Sequence, residues 1–186
     1  MRLVKDVAEP ADNKTVRARL RNEDGFGLIE VLISIVMLNV GILALVAAFN
    51  SGSLAIQRAS HAATASTLAE KQMELYRAQT YINVALDSTS KTAAAGNSVY
   101  AADAAYSATQ EIKTCTMPLP PQCVALRTPV TGPDGVAYRI DTYIVSFTPV
   151  SPPGRAIKRV TVVVRHGTTT RTLARLTSYF DESTGI

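Results

Sequence analysis

The chain has 186 residues, of which 47% are apolar and 6% aromatic, and its formal net charge is +4. This length is enough for one domain with additions. The first 25 residues carry six basic and five acidic side chains and the rest carry thirteen and ten, so neither part is basic enough to require a nucleic-acid partner.

Residues 1–25 are predicted to be a leader, because their charges are mixed and they lack apolar periodicity. They end with three arginines, Arg17, Arg19 and Arg21, whereas the first basic residue after the apolar segment that follows is Arg58. By the positive-inside rule, this asymmetry places the N-terminus in the cytoplasm and the C-terminal part outside.

The next segment is apolar, and residues 31–49 contain no ionisable side chain. At ~1.5 Å per residue, a helix of this length covers roughly 28 Å, close to the thickness of a hydrocarbon core. Glu30 stands at its start. A carboxylate costs about 2.5–3.5 kcal/mol at the centre of a span and less near the interface, so Glu30 is interpreted as a functional residue that needs a neutralising partner.

Two simpler interpretations compete for this segment. A secretory signal peptide would place its cleavage site near Val46-Ala47-Ala48, but its apolar region would be shorter and would not begin with Glu30. A plain signal-anchor helix explains the length and the orientation, and it leaves Glu30 without a role.

The stretch Gly25-Phe26-Gly27-Leu28-Ile29-Glu30 resembles the processing motif of type IV prepilins and pseudopilins. That motif has a glycine, then a hydrophobic residue that is usually phenylalanine, then a glutamate four places later that opens an apolar helix. Gly27 replaces the threonine that the family usually has. Residues Met37–Leu45 also resemble the minor pilins of the PilV type.

The resemblance implies that prepilin peptidase cuts between Gly25 and Phe26 and methylates the new amine of Phe26. It also implies that Glu30 pairs with the Phe26 amine of a neighbouring subunit during assembly. The implied partners are prepilin peptidase, other pilins or pseudopilins, and an assembly platform in the inner or plasma membrane. No cofactor, small-molecule substrate or nucleic acid is expected.

The organisation of the chain after the leader is predicted from its hydrophobic periodicity and its composition. One long helix is predicted over 26–81, with the membrane span at about 28–49 and an amphipathic half after it. Residues 82–98 are expected to be a linker, and 99–186 an extracytoplasmic β-rich domain. Strands are predicted at about 106–115, 136–148, 157–165 and 169–180. Val160, Val162 and Val164 share one face, which the long helix is expected to cover.

Cys115 and Cys123 have seven residues between them and no histidine nearby, which argues against a metal site. If this part lies outside the cell, a disulfide is favoured, and two unpaired buried thiols are the alternative.

A search for chemistry gives no catalytic constellation, so the protein is not expected to be an enzyme. His61 and His166 lack a nucleophile or a ligand set and are expected to be solvated. Arg165, Arg171 and Arg175 are expected to lie on the exposed face of the last hairpin, where a DNA-contacting patch is the less favoured interpretation.

Together these patterns predict an α+β protein in which a long N-terminal transmembrane helix packs on a small antiparallel sheet, as in pilins. The predicted function is that of a minor pilin, cut after Gly25 and assembled through its helix into a surface pilus or pseudopilus. The alternatives are a pseudopilin of a type II secretion or DNA-uptake system, and a signal-anchored extracellular binding domain that never polymerises.

Overall fold

The computed structural model of the chain describes residues 27–150 and 154–182. The predicted leader, 1–25, therefore lies outside the described residues. The chain forms two compact units, one ending at Ser53 and the other beginning at Leu54. Each is described separately below.

Helix α1 runs from Leu28 to Arg77. The sequence between Pro10 and Pro118 contains no proline, so every residue of α1 has a backbone N–H for the helical hydrogen bonds. The helix ends four residues before the predicted end at Tyr81. A separate 3₁₀ turn, Tyr81–Asn83, begins there and is closed by a hydrogen bond from the Asn83 side chain to Thr80.

The second unit contains a four-stranded antiparallel sheet in the order β3-β4-β5-β6. The strands are β3 (Leu126–Thr131), β4 (Ala137–Phe147), β5 (Ile157–His166) and β6 (Thr172–Asp181). The last three confirm the predicted strands to within a few residues, and β3 was not predicted. A long apolar helix with an antiparallel sheet confirms the α+β class and is consistent with the pilin-like fold.

One face of the sheet packs on the C-terminal half of α1 and forms the hydrophobic core. Val160, Val162 and Val164 of β5 are fully buried there, as the period-two pattern predicted. The fully buried apolar side chains that α1 contributes to this core recur at helical spacing, and they range from alanine to tyrosine: Ala65, Ala69, Met73 and Tyr76.

The opposite face of the sheet is also covered, although the sequence predicted that solvent would reach it. Val163 is fully buried and Arg165 is only 9% exposed. The cover comes from the stretch after α1. Its Tyr100 ring stacks on Tyr143 with the ring centroids 4.4 Å apart, and its Asp103 binds Arg165.

The stretch 82–98, expected to be a linker, instead contains regular structure. It holds β1 (Leu86–Asp87), α2 (Ser88–Ala95) and the start of α3 (Ser98–Ala101). Asp87 caps α2, and the Asn97 side chain caps α3 in the same way. These caps let a sequence of mostly small residues form two short helices.

Asp87 also joins this stretch to the chain that follows. Its carboxylate accepts hydrogen bonds from Thr89, Cys115 and Ser90, which lower the pKa of Asp87 to about 2. Beside it, β1 pairs in parallel with β2 (Ile112–Lys113). The strand predicted over 106–115 is therefore reduced to two residues.

Cys115 and Cys123 form a disulfide, as the spacing favoured, and close a small loop. Two side chains of α1 hold this loop. The Gln72 amide donates a hydrogen bond to the carbonyl of Pro121 at 3.0 Å, and the Tyr76 hydroxyl donates one to the carbonyl of Gln122 at 2.8 Å. Burial raises the pKa of Tyr76 to about 12, so its phenol stays protonated.

Candidate functional site

Glu30 lies in the first turn of α1. The carbonyl of Gly27, just before the helix, accepts hydrogen bonds from the backbone N–H groups of Glu30 at 2.8 Å and Val31 at 3.3 Å. At this position the helix dipole favours a negative charge. The helix therefore stabilises the carboxylate of Glu30 in part before any other group approaches it.

No described residue binds the carboxylate of Glu30, either by a hydrogen bond or by an ion pair. The predicted cleavage site, Gly25 and Phe26, lies outside the described residues, as does the predicted methylated amine of Phe26. The roles of these three residues therefore stay predictions.

The part of α1 in the first unit exposes almost every apolar side chain. Leu28 is 88% exposed and Phe49 is 78% exposed. The helix is long and apolar enough to cross a membrane, and its most apolar window has no buried residue. An apolar surface this large requires lipid or a protein partner to cover it.

The cationic side chains of the last two strands do not form a free basic patch. On the face of the sheet turned away from α1, Asp141 is fully buried between two arginines. Its carboxylate accepts hydrogen bonds from Arg139 Nε at 2.7 Å and from Arg165 Nε at 3.0 Å. The prediction that Arg165 lies on an exposed face is therefore wrong.

Asp103 extends this network to the surface. It accepts hydrogen bonds from Arg165 and, at 2.7 Å, from Arg175 Nη2. Of the three arginines predicted to lie on the exposed face of the hairpin, Arg165 and Arg175 are thus paired with carboxylates. Arg171 is exposed and has no such partner among the described residues. The interpretation as a DNA-contacting patch loses its geometric basis.

The two histidines of the chain lie together. His61 is on α1 and His166 is at the end of β5, and their rings stack with the centroids 6.2 Å apart. Each is half-buried, so the prediction of separately solvated side chains is wrong. Their separation in sequence gave no signal for this contact, which depends on how the hairpin packs on the helix.

Within the described ranges, no group of three or more His, Cys, Asp or Glu side chains is placed to hold a metal ion. The described feature that stands out is the carboxylate of Glu30, in the first turn of an exposed apolar helix. Such an arrangement can attract a cation into an apolar environment.

Comparison with known proteins gives one match. Residues 20–46 match the family model described as "Prokaryotic N-terminal methylation motif". The matched residues include Glu30 and the first half of the apolar helix, and they support a membrane-anchored protein of the type IV pilin or pseudopilin kind. No curated protein and no solved structure matches the chain.

Proposed function

We propose that this protein is a minor pilin that prepilin peptidase cuts between Gly25 and Phe26 and that then assembles through α1 into a filament. The observation that carries the proposal is the position of Glu30. The matched motif, the first turn of the helix and the start of the exposed apolar surface all coincide at this residue.

Cleavage supplies the partner that the carboxylate lacks. Cutting the bond after Gly25 leaves an α-amine on Phe26, four residues before Glu30, and methylation of this amine keeps its positive charge. An unpaired carboxylate in lipid is costly, and a cation beside it removes most of that cost. When two apolar helices lie side by side, Glu30 of one subunit reaches the Phe26 amine of its neighbour at only one register. The ion pair therefore favours that register.

The rest of the chain suits a subunit displayed by its helix. The arginines before the span support a cytoplasmic N-terminus, and the disulfide of the second unit suits an oxidising compartment. The sheet domain would then lie outside the membrane and, after assembly, on the surface of a filament.

The test compares Glu30→Leu with Glu74→Leu in cells that make the filament. Glu74 is a matched control, because it is another acid of α1 but is exposed and paired with Arg77. We expect Glu30→Leu to be cut at the normal site and to stay in the membrane fraction, while Glu74→Leu enters sheared filaments like the wild type.

Assembly of Glu30→Leu at the wild-type level would contradict the proposal. It would show that assembly does not need the charge of Glu30. A signal-anchored binding domain that never polymerises predicts a different result, in which neither the wild type nor either variant enters sheared filaments. A pseudopilin of a secretion or DNA-uptake system would give the same dependence on Glu30 with a different set of co-purifying subunits.

A further inference from the structure

The second unit contains a pocket of about 370 Å³ between α1 and the hairpin of β5 and β6. Four of the side chains that line it carry or can gain a positive charge: Arg58 and His61 from α1, and His166 and Arg171 from the hairpin. Both histidines of the chain are thus in this one pocket. We call it the His–Arg pocket.

Among the residues that the structure describes, no carboxylate lines the His–Arg pocket. Neither Arg58 nor Arg171 has an ion-pair partner among the described residues, in contrast to Arg165 and Arg175 nearby. Asp134 interacts electrostatically with His61 and also accepts a hydrogen bond from the Tyr138 hydroxyl at 2.5 Å. The two guanidinium groups of the pocket therefore have no carboxylate partner among the described residues.

The hydrogen bonds of His166 leave one ring nitrogen for a ligand. Its Nδ1 accepts from the backbone N–H groups of Thr168 at 3.4 Å and Thr169 at 3.5 Å, and it lies 3.0 Å from the hydroxyl of Thr168. In the neutral ring the proton is then on Nε2, which is a donor. With two guanidinium groups beside it, the pocket presents several donors to one anion, and arginine is well suited to phosphate.

The residues just before the pocket are apolar and exposed. In the second unit, Leu54 is 44% exposed and Ile56 is 73% exposed, and Leu54 lies one helical turn before Arg58 on the same face. In sequence, Arg58 is also the first ionisable residue after Glu30. An exposed apolar side chain, Leu54, one turn from the basic pocket on the same helix face matches a phospholipid, whose acyl chains and phosphate are adjacent in the same way.

We propose that the His–Arg pocket binds the phosphodiester headgroup of an anionic phospholipid, with the acyl chains on the side of Leu54. The choice of a lipid as the source of the phosphate rests on the proposed membrane anchoring. The donor geometry of the pocket does not depend on cleavage or assembly.

The test uses the full chain in uncharged detergent micelles. A short-chain phosphatidylglycerol is titrated in, and the imidazole signals of the only two histidines, His61 and His166, are followed by NMR. Short-chain phosphatidylcholine, inorganic phosphate and a single-stranded oligonucleotide are titrated in parallel. The variant R58Q/R171Q is compared with R155Q/R159Q, which removes the same charge outside the pocket, and thermal melts confirm that both stay folded.

We expect phosphatidylglycerol to shift both signals and to bind at least about tenfold more weakly to R58Q/R171Q, since charge-assisted hydrogen bonds to phosphate are lost. R155Q/R159Q should bind like the wild type. Equal binding of phosphatidylcholine, or unchanged binding by R58Q/R171Q, would overturn the proposal. Equal binding of inorganic phosphate, or tighter binding of the oligonucleotide, would overturn the assignment to a lipid. Because no filament is involved, none of these results depends on the proposed assembly role of Glu30.

Discussion

Replacing Asp141 by asparagine removes the charge at the centre of the buried ion network. Asp141 is fully buried and accepts hydrogen bonds from Arg139 and Arg165, whose side chains are only 6% and 10% exposed. The substitution keeps the size of the side chain and one acceptor oxygen. Its effect therefore isolates the charge from the packing.

The expected loss of stability follows from the burial of Asp141. Removing one partner of a buried ion pair costs about 3–5 kcal/mol, and the retained oxygen places Asp141→Asn at the lower end, near 3 kcal/mol. The second unit has roughly 130 residues, and an unfolding entropy of ~2.1 cal/mol/K per residue gives ~0.28 kcal/mol/K. The melting temperature should then fall by about 11 °C.

Thermal unfolding of the full chain in detergent micelles, followed by circular dichroism, measures this shift. Arg77→Gln is the control, because its ion pair with Glu74 joins side chains that are 53% and 62% exposed and should contribute less than about 1 kcal/mol. If Asp141→Asn melted within about 3 °C of the wild type, the network would not stabilise the domain as argued.

Three further predictions concern stability. Hydrogen bonds hold the pKa of Asp87 near 2, below its ordinary 3.8, so on acidification the unfolded chain takes up the proton first. Stability should therefore fall as pH drops from about 4 to 2, and Asp87→Asn should flatten this dependence in acid titrations. Burial raises the pKa of Tyr76 and Tyr138 to about 12 from 10.0, so these phenols ionise first in the unfolded chain and stability should fall between about pH 10 and 12. The part of the tyrosinate absorbance that Tyr76→Phe and Tyr138→Phe remove should rise only with loss of dichroism. The double variant C115S/C123S should lose roughly 2.5 kcal/mol in denaturant titrations, and an unchanged midpoint would show that the small ring adds nothing.

The strands that the sequence predicted well are those with strict alternation over many residues. In β5, Val160, Val162 and Val164 recur at period two and face the helix, so pattern alone places them. Strand β3 gave a weaker signal, because it contains Pro129 and its register shifts between Arg127 and Val130.

The second covered face of the sheet could not be read from the same pattern. Arg165 and Thr161 occupy polar positions of β5, which predicted exposure, yet both are buried on the face that the segment with Tyr100 and Asp103 covers. That burial depends on Asp103 and Asp141 as partners of the arginines, and these contacts span 24 to 62 residues of sequence. Local periodicity carries no information on such pairing.

At the candidate site, the sequence indicated the functional residue more clearly than it indicated the packing of the sheet. Glu30 was identified from its chemistry alone, because an acid at the start of an uncharged span needs an explanation whatever the fold. The structure adds the first-turn position and the exposed apolar surface around it. The His–Arg pocket, in contrast, gave no sequence signal, because His61 and His166 meet only through tertiary packing.

The most direct test of the proposed cleavage after Gly25 is to extract the protein from membranes of the cell that makes it and to determine its first residue. N-terminal sequencing with mass spectrometry of the terminal peptide should find Phe26 as the first residue, carrying one methyl group on its amine. That amine is the proposed partner of Glu30. A chain that still carried its first 25 residues, or one cut after Ala48, would contradict the leader assignment and leave Glu30 without its partner.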